Sequence, residues 1–141
     1  MDDLVAFLYA RLDEDEEAAR NAGGLKWHTG CVCEDDCPGY PACERVEGDD
    51  ITIYSEGGHD ADQATHIARH DPDRVLREVE AKRAILDQLA TDLSYHPPVP
   101  PGHQRAWAIA SLTVEKMAAV YSDHPDCRPE WAPSGEPVNA P

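Results

Sequence analysis

Apolar residues recur at close to helical spacing over three long stretches, and the polar positions between them mark where each helix starts and stops. The longest unbroken pattern runs from His66 to Leu93, with Val75, Leu76, Val79, Ile85, Leu86, Leu89 and Leu93 forming its apolar stripe. It carries its own start signal: Asp71 as cap, Pro72 at the first helical position and Asp73 in the first turn. From Pro72 to Leu93 this predicts roughly 33 Å of helix at about 1.5 Å per residue. Glu78 and Lys82 stand four apart, the spacing of a favourable ion pair on the outer face.

A first helix is predicted from Asp2 or Asp3 to Asn21, with Leu4, Phe7, Leu8 and Leu12 as its buried stripe and Val5 and Tyr9 on the flank. Asp13 to Glu17 is a like-charge run that must face solvent, and Gly23-Gly24 ends the element. A short helix is expected over Asp60–Arg69, with Asp60 as cap. The residue before a proline is biased away from helix, so the chain should break at His70-Asp71-Pro72. The last helix, from Gln104 to about Tyr121, has Trp107, Ile109, Ala110, Leu112, Val114, Met117 and Val120 as apolar positions and should return antiparallel to the long one. Before it lies HPPVPPG (His96–Gly102), read as a stiff polyproline linker. After it comes a proline-punctuated tail in which Trp131 docks on the bundle and residues 133–141 are disordered.

Between the first two helices the chain changes character. Residues 26–58 are rich in Cys, Gly, Pro and Asp, with Ile51–Ser55 (ITIYS) as the best strand and a hairpin partner near Trp27 or Val46. The fold expected is mainly α (α+β): one domain over residues 1–132, a small helical bundle on the long central helix with a Cys-rich hairpin or knuckle inserted.

Charge narrows the function. The net charge is −16; residues 1–50 hold 14 acidic and 4 basic groups, residues 51–141 hold 14 and 8. Such a field repels phosphate backbones and anionic membrane surfaces, so direct nucleic-acid binding is not expected. No stretch has the apolar length of a membrane span, and the acidic N-terminus lacks a signal-peptide pattern, so a cytoplasmic protein is expected.

Two clusters carry candidate chemistry. His28, Cys31, Cys33, Cys37 and Cys43 follow the spacing H-x2-C-x-C-x3-C-x5-C. Thiolate and imidazole donors this dense suit a structural Zn²⁺, which would order a segment with little to bury; disulfides and free thiols are the alternatives. The weaker cluster is His59, Asp62, His66 and His70, where His66 and His70 stand at i,i+4 but the helix lacks the glutamate of an H-E-x-x-H site. Cys127 stands alone, three residues after His124. There is no phosphate-binding glycine loop, no nucleophile elbow and no paired-carboxylate motif.

Three stretches carry a family resemblance: MDDLVAFLYARLDEDEEAAR, HIARHDPDRVLREVEAKRAILD and YSDHPDCRPEWAP. On these the chain resembles small acidic uncharacterised proteins of actinobacteria and their phages, grouped as a domain of unknown function. The resemblance implies a helix, a variable middle with short strands, a helical pair and a tryptophan-containing tail. It also implies an aromatic residue more often than cysteine at position 127, and it makes the cysteine cluster an elaboration of the middle. No activity comes with it.

The reading reached is a non-enzymatic protein-interaction or regulatory module with a zinc knuckle and a protein partner. The alternatives are an acidic decoy mimicking nucleic acid, motivated by Asp13–Glu17 and Glu34–Asp36, and a metal-dependent hydrolase using His59, Asp62, His66 and His70.

Overall fold

The computed structural model describes residues 1–30, 45–49, 52–54 and 61–132. Four helices dominate: α1 (Asp2–Asn21), α2 (Ala61–Arg69), α3 (Pro72–Leu93) and α4 (Gln104–Ala118). Three short strands, β1 (His28–Gly30), β2 (Arg45–Glu47) and β3 (Thr52–Tyr54), form an antiparallel sheet in the order β1-β2-β3. Two 3₁₀ turns, Ala119–Tyr121 and Pro129–Trp131, follow α4. The chain divides into two compact units, one of Met1–Asp13 with Lys82–Pro141 and the other of Glu14–Ala81. Helices α1 and α3 each contribute to both.

The Glu14–Ala81 unit is built on the sheet and α2. Val46 sits in the middle strand, opposite Thr29 on one side and Ile53 on the other, and is buried. Of the two partners the sequence offered for the ITIYS strand, the Val46 region is the direct one, and the segment after Trp27 pairs on its far side. A middle strand with both edges hydrogen-bonded satisfies its backbone groups on both sides, which favours three strands over a bare hairpin. Helix α2 packs on β1 and β2.

The start of α3 follows the expected signals. The backbone N–H of Arg74 donates to Asp71 Oδ1 at 2.8 Å, the bond of an N-cap residue to the third helical position. Pro72 occupies the first position, where a missing N–H costs nothing. Asp73 gathers Lys26 and Arg77, and its N–H donates to Leu25 O at 3.0 Å. Between the end of α1 at Asn21 and Leu25 the chain turns through Gly23 and Gly24, both at positive φ (81° and 74°), where a side chain would be strained. Glu78, expected to pair with Lys82, pairs with Arg74 at 2.8 Å. Both spacings are i,i+4, and the fork of arginine suits a carboxylate better than a lysine.

In the other unit Leu4, Phe7, Leu8 and Leu12 are buried as the stripe predicts, with Leu86 and Leu93 from α3 and Ala110, Val114 and Ala118 from α4. Two expectations need correction. On α4 the buried face is Ala110, Ser111, Val114 and Ala118, while Ile109 and Leu112 are 55% and 54% exposed, and Val120, in the 3₁₀ turn that follows, is 66% exposed. The helix presents its smaller residues inward and leaves two large ones outside. Ile85 on α3 is likewise exposed. The proline segment is not a uniform extended linker either: it ends in a turn at Pro101–His103, with Gly102 at φ 94°.

Candidate functional site

The cysteine cluster falls almost wholly outside the described residues. His28 alone is described: it lies exposed on β1, its Nε2 3.4 Å from Glu47 Oε2 across the strand pair. The β1–β2 ladder ends at the pair Gly30↔Arg45, immediately before Cys31 and two residues after Cys43.

Of the histidine cluster, Asp62 and His66 are on α2 and His70 is in the turn that follows, all three exposed; His59 lies outside the described residues. The His66 and His70 rings stand 4.6 Å apart, as i,i+4 spacing predicts. The backbone N–H of His70 closes the end of α2 on the carbonyls of His66 and Ile67, at 3.2 and 3.1 Å. Among the described residues no three or more His, Cys, Asp or Glu side chains come together as a metal site.

The densest constellation in the Met1–Asp13 and Lys82–Pro141 unit is one that spacing alone does not reveal. Arg11, on the buried side of α1, is only 6% exposed. Its Nη1 donates to His124 Nδ1 at 3.0 Å and lies 3.5 Å from Asp126, and its guanidinium lies 5.0 Å from the Phe7 ring centre. The Asp126 N–H also donates to His124 Nδ1, at 3.1 Å. Both contacts bring a donor to Nδ1, which makes it the accepting nitrogen of the ring. Phe7 meets Tyr121, His124 and Trp131 at 6.4, 6.0 and 5.2 Å between ring centres. Arg128 stacks on Trp131 at 4.7 Å and pairs with Asp3 at 2.7 Å. These contacts hold the tail to α1, and two of the members also face concavities: Tyr121 the groove beside Leu112, and Trp131 a smaller one of about 310 Å³. This is a clamp, and it explains the YSDHPDCRPEW stretch in structural terms. Cys127 is half-buried within it as a free thiol.

A larger concave feature of this unit lies beside the exposed Leu112 of α4 and Val120 of the turn after it. A groove of about 490 Å³ is walled by Leu8 and Leu12 of α1 and by Leu112, Met117, Val120 and Tyr121. Its polar lining is Thr113, Lys82 and Lys116. Thr113 returns its hydroxyl to Ile109 O at 2.8 Å. Lys82 lies 5.9 Å from the Tyr121 ring centre. Lys116 forms no ion pair among the described residues. In a chain with 28 acidic residues and three lysines, two of those lysines line this groove, and no described carboxylate does. It offers apolar area and positive charge.

Residues 1–133 match the family of unknown function DUF6221, and the chain belongs to that family. No curated protein and no solved structure matches the chain. Among the described residues no helix is long and apolar enough to cross a membrane.

Proposed function

We propose that this member of DUF6221 is a non-enzymatic protein-interaction module whose binding surface is the apolar groove walled by α1 and α4. One observation carries the reading. Leu112 and Val120 are more than half exposed beside a concave apolar surface, although the same unit buries every apolar residue of the α1 stripe. Large apolar side chains grouped at a concavity mark an interaction surface, whereas scattered ones carry no such meaning. A photo-crosslinking side chain at position 112 should yield a discrete protein adduct in a lysate of the native host. The same side chain at Gln88, exposed on α3, should not. Indistinguishable adducts from the two positions would contradict the proposal.

The zinc knuckle stands beside this as a second, structural element. The spacing of Cys31, Cys33, Cys37 and Cys43 supports it, and the segment that carries them joins two paired strands, β1 and β2. His28 is an added candidate donor. A closed four-ligand site would hold the segment's shape and perform no catalysis. The mimic reading has less support, because Asp13 is held by Arg83 and Glu16 by Arg20, so part of its acidic run is already neutralised. The hydrolase reading rests on the exposed His66–His70 pair alone.

A further inference from the structure

From the groove's charge and shape we infer that its occupant is an amphipathic helix of a partner protein that carries carboxylates beside its apolar face. This rests on the interaction reading above and specifies the partner's chemistry. The whole chain carries −16, yet the groove's described charges are Lys82 and Lys116, both cationic. Beyond about 8 Å physiological salt screens charge, so the two lysines of the lining weigh most in which charge the groove accepts, with Glu115 and Glu130 lining the neighbouring concavity that Lys116 shares. An ammonium at the edge of an apolar surface is best completed by a carboxylate, which gains a charge-assisted bond as water leaves.

The same charges argue against a second copy of this chain. Closed dimers are overwhelmingly isologous, with one patch facing itself. Such a pairing would set Lys116 and Lys82 against their own copies and bring two −16 chains together.

The lining comes from α1, α3, α4 and the 3₁₀ turn after α4, and no strand edge contributes among the described residues. An extended peptide therefore finds no row of backbone partners to pair with, whereas a helix can lay its side-chain ridge between these helices. Leu112 and Val120 lie eight residues apart, about 12 Å along the axis at about 1.5 Å per residue. That accepts apolar anchors spaced i, i+3 or i+4, and i+7 on the partner.

The test uses the full chain and two synthetic helical peptides with one shared Leu/Ile face, one flanked by Glu and the other by Lys. Fluorescence anisotropy should show the Glu peptide binding about tenfold more tightly at physiological salt, the size expected when two partly exposed pairs become favourable instead of repulsive. In the double variant Lys82→Glu/Lys116→Glu the preference should invert. Leu112→Asp, at a half-exposed position that leaves the buried face of α4 intact, should abolish both while circular dichroism stays unchanged. Equal binding of the two peptides, or preference for the Lys peptide, would overturn the inference and leave the interaction reading standing. Binding of neither would overturn both. A concentration-dependent dimer lost in Leu112→Asp, or oleate binding more tightly than the Glu peptide, would also overturn it, assigning the groove to a second copy or to a lipid.

Discussion

Leu8 and Leu112 are the same residue type in the same unit, and they do opposite things. Leu8 is fully buried, and its replacement by Ala should cost about 2–5 kcal/mol through lost transfer energy and the cavity left behind. Leu112→Ala should stay within about 0.5–1 kcal/mol, because its side chain already meets water. Chemical denaturation of the two variants checks the contrast, and equal losses would show that Leu112 belongs to the core. Tyr9 gives a prediction in pH. Its hydroxyl donates to Asp87 Oδ1 at 2.6 Å, and that bond, helped by partial burial and the nearby carboxylate, raises its pKa above the ordinary 10.0. A raised folded-state pKa means the bond's stabilisation is fully present below pH 10.0 and is lost as pH rises through the folded value. Tyr9→Phe should therefore be less stable than the parent at neutral pH, and the difference should shrink under alkaline conditions. A constant difference across that range would contradict the assignment.

At the scale of elements, the entrance to α3 is where sequence and structure agree most closely. Its cap, its proline and its first-turn acid use only neighbouring residues, so the information is local. Asp71→Ala should cost about 1 kcal/mol in thermal unfolding, and Asp71→Asn, which keeps the accepting oxygen, should recover most of it. The pattern on α4 was less legible. Hydrophobicity marks Ile109, Leu112 and Val120 as core candidates, but which side of a helix is buried is decided by its neighbours. Here α4 turns Ala110, Ser111, Val114 and Ala118 inward. The groove follows from that choice and from residues far apart in the chain, Leu8 and Lys82 among them, so periodicity alone could not have located it. The clamp was hidden for a related reason. Arg11 reads as a surface residue until Phe7, His124 and Asp126 are known to surround it. Its one signal in the sequence was position, since Arg11 stands four residues after Phe7 and beside Leu12, within the buried stripe.

For the whole molecule, the two units divide the proposed roles. The Glu14–Ala81 unit holds the sheet and the cysteine segment, whose donors suit zinc. Protein purified under reducing conditions should carry about one equivalent of zinc by elemental analysis, and a chelator should lower the stability of this unit. Less than about a tenth of an equivalent, with the thiols reduced, would remove the knuckle. The other unit holds the groove, and there the functional claim stands or falls. The most direct measurement is hydrogen–deuterium exchange of the full chain, alone and with the partner captured by crosslinking at position 112. The account predicts slowed exchange in residues 8–12 and 112–121, with β1, β2 and β3 unchanged. Protection confined to the sheet, with α1 and α4 exchanging as in the free protein, would contradict it.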